Sequence, residues 1–206
     1  LPRCIDELLC MIPIDYYGGL HVTIQTSDID DYPILVLHEL SNLYSTDEFL
    51  DMWEKNRNDL TRDLNHTCSQ KVNVEQTQPD DSFISKILDK INRDIVDGPI
   101  VWWILHSPVG HDLKPHVDRK DATIIIPILP NDYTLNFYKT KDDIDPILSY
   151  KHTNTPISVK GKSVPHGTED INQDRIWICI EFSCKKTTSN AWDDFKTCYE
   201  NGTLFV

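Results

Sequence analysis

At 206 residues and 23.9 kDa the chain reads as one domain, long enough to bury a sizeable core without disulfide or metal staples. Hydrophobic residues at 39% and charged residues at 26% exclude the composition of a disordered chain. The formal charge of −13 gives a surface that on average repels phosphate backbones and anionic lipid, so nucleic acid is disfavoured as a partner, and no apolar run reaches membrane-spanning length.

The six cysteines (Cys4, Cys10, Cys68, Cys179, Cys184 and Cys198) show neither C-x-x-C nor zinc-like pairing. In a chain with an adequate core they read as reduced thiols, which points to a cytoplasmic protein.

Residues 1–32 are mixed, with Tyr17-Gly18-Gly19 as a turn signal and an alternating stretch over 20–26 that predicts a short strand. After Pro33 the apolar run Ile34 to Leu37 predicts a buried strand. Ser45 or Thr46 can cap a helix, Asp47 and Glu48 complement its dipole, and Phe49, Trp53, Leu60 and Leu64 recur at helical spacing. A polar, turn-rich stretch covers 65–80. A second amphipathic helix is expected over 81–97, with the stripe Ile84, Ile87, Leu88, Ile91 and Ile95 and a Gly98-Pro99 stop.

From Ile100 onward the pattern becomes extended. Strands are predicted over 100–105, 122–129, 134–138, 155–159 and 175–182, separated by Gly, Pro and Asp turns, with Pro127 marking an edge or a bulge. A short last helix covers 190–199. Helices first and strands afterwards imply an α+β domain with helices packed on one sheet, divided into a strand and helical part at 1–98, a core at 99–183 and a helical extension at 184–206. In 175–180, Arg, Trp and Cys alternate with three Ile, so both faces of that strand are expected to be covered.

The chemistry sits in His116-Val117-Asp118, followed 48 residues after Asp118 by His166 and nine residues later by Arg175. About one His-x-Asp is expected by chance in such a composition, so the tripeptide means little without its context. On an extended segment His116 and Asp118 project to one side, and with a distant second imidazole they form the facial triad that holds Fe(II) with open coordination positions. His166, between Pro165 and Gly167, is expected to be joined to Arg175 by a hairpin of about eight residues, on neighbouring antiparallel strands. A charged residue opening such an apolar strand needs a partner, and a guanidinium fork suits a carboxylate.

The stretches HSPVGHDLKPHVD and VPHGTEDINQDRIWICIEF resemble the 2-oxoglutarate and Fe(II)-dependent oxygenase superfamily, in its prolyl-hydroxylase-like or aspartyl/asparaginyl-hydroxylase-like members. The resemblance covers roughly residues 100–183. It implies a double-stranded β-helix of jelly-roll or cupin type, His116, Asp118 and His166 as iron ligands, and Arg175 on the distal carboxylate of 2-oxoglutarate. His106 takes a position near the cosubstrate where relatives often place a tyrosine. It further implies O2 as co-reactant, and a hydroxylase acting on an amino-acid side chain in a peptide or on a small molecule, with release of succinate and CO2. The aspartate at 118 favours hydroxylation over halogenation. No Ser follows Arg175 by two positions, because Trp177 stands there, so the second donor to the cosubstrate is undetermined.

Other readings stand beside these. Trp103 and Tyr138 are candidates for the substrate pocket, with core packing as the alternative use. The run Asp142-Asp143-Ile144-Asp145 reads as a solvated loop, or as part of a lid selecting a basic substrate. His111 reads as a loop histidine rather than a ligand, and His21, His38, His66 and His152 carry no functional weight. The alternative for the whole chain is a non-catalytic β-helix module that binds a metal or ligand.

Overall fold

The computed structural model describes residues 23–24, 32–56, 61–62, 70–71, 83–107, 109–110, 113–129, 133–169, 172–173, 175–187 and 190–206. The N-terminal turn signal, most of the stretch 20–26, Leu60, Leu64 and most of 65–80 lie outside them.

The alternating sequence after residue 95 gives long strands because one side chain in two can be buried on each face. The strands are β1 (Thr23–Ile24), β2 (Ile34–Val36), β3 (Thr61–Arg62), β4 (Gln70–Lys71), β5 (Val96–Ser107), β6 (Leu113–His116), β7 (Ala122–Pro127), β8 (Tyr133–Phe137), β9 (Leu148–His152), β10 (Ile157–Val159), β11 (His166–Thr168) and β12 (Arg175–Cys184). The helices are α1 (Thr46–Asn56), α2 (Phe83–Lys90) and α3 (Ala191–Glu200). They assemble into a β-rich fold of two antiparallel sheets, one in the order β1-β9-β8-β11-β6 and the other β2-β10-β7-β12-β5-β4-β3.

Strand β12 is central to the larger sheet, paired with β5 on one side and β7 on the other. Its two faces serve two cores. Ile176, Ile178, Ile180 and Phe182 join Phe49, Trp53, Ile84, Ile87, Trp192 and Phe195 in a cluster under the three helices. Trp177 and Cys179 join Ile125, Val159, Tyr133, Leu135, Phe137 and Tyr150 in a second cluster between the sheets. The site lies on this second, inter-sheet side.

Several boundaries differ from the sequence expectation. Ser45 and Glu48 form a reciprocal capping box at the start of α1, but the helix ends at Asn56, and Thr61–Arg62 already pairs as a strand. The helix expected over 81–97 stops at Lys90. Val96 and Asp97 are instead taken into the ladder opposite Cys184 and Ser183, and sheet pairing there outweighs the helical periodicity. Pro127 marks neither an edge nor a bulge. It ends β7, an inner strand, beyond the point where pairing with β10 stops at Ile125. Strand β9 carried no sequence expectation. The helix at 190–199 is matched by α3, with Asn190 capping Trp192 N–H.

The largest change concerns β11 and β12. They are not neighbouring strands of a hairpin: β11 bonds to β6 and β8 in the smaller sheet and β12 to β5 and β7 in the larger one. His166 and Arg175 therefore belong to opposing walls.

Phe182 is fully buried, its ring tilted against that of Phe195 with centroids 5.9 Å apart, whereas Ile144 is 89% exposed. Phe182→Ala should cost about 3–5 kcal/mol of unfolding free energy in urea titration. Ile144→Ala should change it by less than about 0.5 kcal/mol.

Candidate metal centre

His116 is the last residue of β6 and stands directly opposite His166, the first residue of β11. This register sets two imidazoles side by side, with ring centroids 4.5 Å apart. Asp118 lies beyond the strand, in a loop fixed by its backbone N–H donating to Gly161 O at 2.9 Å. His116 Nε2 is 3.7 Å from Asp118 Oδ1, His166 Nε2 is 3.5 Å from Oδ2, and one ligand atom from each of the three residues lies within 4.8 Å of the others.

The surrounding hydrogen bonds orient all three groups. His116 Nδ1 donates to Lys114 O at 2.9 Å and His166 Nδ1 donates to Val164 O at 3.0 Å, so each ring keeps its Nε2 lone pair for the centre. Thr123 Oγ1 donates to Asp118 Oδ2 at 2.6 Å. Two neutral imidazoles and one carboxylate on one side of an ion are a donor set for a divalent first-row metal with positions left open. Cis ligands at about 2.1 Å from one ion stand about 3 Å apart, so a small inward movement of these atoms would close on a cation. Side-chain exposure falls from 26% at His116 to 10% at Asp118 and 5% at His166, which leaves the open side toward solvent near His116.

Glycine makes room for this arrangement twice. A Cβ at Gly161 would overlap the Asp118 carboxylate, and one at Gly167 would overlap Leu113 O where β11 and β6 approach.

Arg175 opens β12 on the opposing wall and is 2% exposed. Its guanidinium carbon lies 3.8 Å from the Trp177 ring centroid and 4.3 Å from that of Tyr133. Nη2 donates to Thr168 Oγ1 at 3.4 Å, while Nε and Nη1 have no hydrogen-bond partner among the described residues. Burial pulls the Arg175 pKa down to about 10, against the opposing effect of Tyr133, and the group stays charged at neutral pH. A buried cation with two orphaned donors is a receptor for an anion, and a carboxylate matches a guanidinium edge.

Next to it, His152 is fully buried. Its Nε2 donates to Thr155 O at 3.0 Å, so Nδ1 is the acceptor for the Tyr133 hydroxyl. Burial lowers its pKa to about 4, with the Arg175 charge adding to the effect and the Thr155 hydrogen bond opposing it.

Of the residues singled out by sequence, His116, Asp118 and His166 come together, and Arg175 faces the same inter-sheet interior. His106 does not. It stands opposite Ile176 on the helix-facing side of the sheet, with its ring 5.2 Å from that of Trp53, because strand alternation turns it away from the face that carries Arg175. Trp103 pairs with Cys179 in the ladder, and its side chain lies outside the described residues. Tyr138 is buried, and its N–H donates to Pro165 O, one residue before His166. Ile144 and Asp145 are exposed in the acidic loop, where Asp143 accepts from Thr140 N–H. Sequence reading missed Thr123, Tyr133, His152, Gly161 and Thr168. Period-two alternation puts Thr168 on the His166 face and was a usable signal, whereas nothing local distinguishes Gly161.

No protein-family model matches this chain, and no curated protein matches it. Among solved structures, it is similar to a prolyl-4-hydroxylase from Pseudomonas putida (10% identity, 72% of this chain and 90% of that one, TM-score 0.49). It is similar also to HygX from Streptomyces hygroscopicus with nickel, 2-oxoglutarate and hygromycin B bound (11%, 77% and 85%, 0.48). A third is a prolyl hydroxylase from Trichoplax adhaerens in complex with a hypoxia-inducible-factor peptide fragment (12%, 72% and 81%, 0.48).

Gly161→Ala should drive the Asp118 carboxylate out of place and weaken divalent-metal affinity by about tenfold or more with far-UV circular dichroism unchanged. His152 makes the pH dependence of stability predictable. Its folded-state pKa lies below the unfolded value of 6.5, so the unfolded chain takes up the proton first, and stability present above pH 6.5 is lost as pH falls toward 4. Chemical denaturation should find about 2 kcal/mol less stability at pH 5 than at pH 7 from this group. That part of the difference should vanish in His152→Gln.

Proposed function

We propose that this chain is a 2-oxoglutarate- and Fe(II)-dependent dioxygenase that hydroxylates an amino-acid side chain in a peptide or a small molecule. The observation that carries the reading is the buried, incompletely satisfied Arg175 sharing the inter-sheet interior with a His, Asp, His donor set. Either feature alone has ordinary explanations; a metal-ligand set and a buried guanidinium edge facing one inter-sheet interior suit a ligand that engages both.

The topology supports the same reading. From β5 to β12 successive strands are distributed over two sheets in the orders β9-β8-β11-β6 and β10-β7-β12-β5, as in a double-stranded β-helix. We propose a single domain built on this core.

In this reading His116, Asp118 and His166 hold the iron and Arg175 holds the distal carboxylate of 2-oxoglutarate. Thr168 and His166 are two residues apart on β11, about 7 Å along the strand, which matches the length of a five-carbon dicarboxylate. The bound iron would supply O2 activation and the oxidising power, with one oxygen atom going to the substrate C–H and the other to 2-oxoglutarate, which leaves as succinate and CO2. The protein's own residues orient and exclude. Thr123 holds the Asp118 carboxylate, the Lys114 and Val164 carbonyls fix the imidazole tautomers, and Tyr133, Leu135, Phe137 and Trp177 keep water from the inter-sheet space. The open side near His116 is where substrate would enter.

Anaerobic addition of Fe(II) and 2-oxoglutarate to the protein should give a visible absorption band that requires both. His116→Ala should abolish it, and Arg175→Gln should raise the half-saturating 2-oxoglutarate concentration about a hundredfold. Metal binding without any response to 2-oxoglutarate would turn the assignment to the non-catalytic binding module.

A further inference from the structure

At the far end of β12, Phe182 and Cys184 both turn into the cluster under the helices. The Phe182 ring meets that of Phe195 on α3, and one step away from this contact two thiols converge. Cys184 is the next side chain on that face of β12, and Cys198 follows Phe195 by one turn of α3. Asp194 ties the two elements together at the same place. Its carboxylate accepts from the Thr187 N–H at 3.0 Å and from the Thr187 hydroxyl at 2.5 Å. Asp194 and Cys198 are four residues apart, so the tied face of the helix is the face that carries the thiol.

Both cysteines are free, and both line one cavity of about 130 Å³ with Asp94, Lys185, Thr187 and Asp194. Such a space lets either side chain change rotamer without pushing on packed neighbours. Cys184 is 3% exposed and Cys198 is half-buried, so a solute meets Cys198 first. Burial pushes the Cys184 thiol up to about 12, with Asp121, Cys198 and Asp194 adding to the effect, so Cys184 does not start a reaction that needs a thiolate.

We propose that Cys198 and Cys184 form a dithiol modification site that reacts with a low-molecular-weight disulfide and closes into a bond between α3 and β12. The Cys198 thiolate attacks one sulfur of the small disulfide, whose S–S bond breaks and releases one half as a thiolate. Cys184 then attacks the Cys198 sulfur, and the second half leaves as a thiol with the Cys184 proton. The two cysteines are oxidised by two electrons and the small disulfide is reduced to two thiols. The bond closes a loop over residues 184–198, which restricts the unfolded chain. The inference is independent of the oxygenase reading, since Trp177 and Cys179 on the opposite face of β12 line the inter-sheet interior.

The test is incubation of the native full-length chain with millimolar oxidised glutathione, alkylation of the remaining thiols, and peptide mapping by mass spectrometry. The expected product links the Cys184 and Cys198 peptides, with fragment ions placing the bond at Cys184 and not at Cys179. Its urea midpoint should rise by about 1 M and return on reduction. Cys184→Ala should instead keep a stable glutathione adduct on Cys198, and Cys198→Ala should take up glutathione at Cys184 at least about tenfold more slowly. A lasting glutathione adduct on Cys198 of the parent, a bond from Cys198 to any other cysteine, or no reaction at Cys198 overturns the proposal.

Discussion

A positive charge held between two sheets is the constraint on which the site depends. Arg175 is 2% exposed, lies against the Tyr133 and Trp177 rings, and keeps two nitrogens without partners among the described residues. Removing a guanidinium from water is costly unless hydrogen bonds and an opposite charge replace the lost hydration. Here the aromatic faces compensate in part and the edge stays open, so the folded chain carries a standing demand for an anion. This demand sits inside a protein whose formal charge is −13, so the positive potential there is local.

The two-sheet architecture sets that guanidinium on the wall opposite the His, Asp, His cluster. The imidazoles of His116 and His166 come from adjoining strands of the smaller sheet, the Asp118 carboxylate from the loop after β6, and the guanidinium from the central strand of the larger sheet. Both walls are stiffened, and Thr123 on β7 of the larger sheet ties the Asp118 loop to it. Behind β12, four apolar side chains lock into the helical layer, and behind the ligands, backbone carbonyls and Thr123 fix ring tautomers and carboxylate orientation. Preorganisation of this kind spares bound molecules the cost of ordering the groups that hold them.

Much of the fold was legible because burial writes itself into alternation. The Arg, Trp, Cys and triple Ile pattern of β12 correctly announced a strand with two covered faces, and Ser45 with Glu48 announced the start of α1. The ends of elements were less legible. The stripe that includes Ile91 and Ile95 continues a helical period past Lys90, yet Ile91 bridges to Phe205 and Val96 pairs with Cys184, both far away in sequence. Local period cannot register partners at that distance. His106 is a related case: the family resemblance put it near the cosubstrate, and the phase of β5 turns it to the helical side.

By itself the sequence determined which chemical groups exist and which share a face: two imidazoles, a carboxylate and a guanidinium, with strand alternation deciding the side each takes along its own segment. Only the tertiary structure decided that β11 and β12 lie in different sheets, that Gly161 leaves room for Asp118, and that the Tyr133 hydroxyl meets His152. Alternation is a property of one strand and is readable locally. Sheet membership, close approach and the direction of a shared proton depend on pairs of segments tens of residues apart, which meet only when the two walls close on one interior.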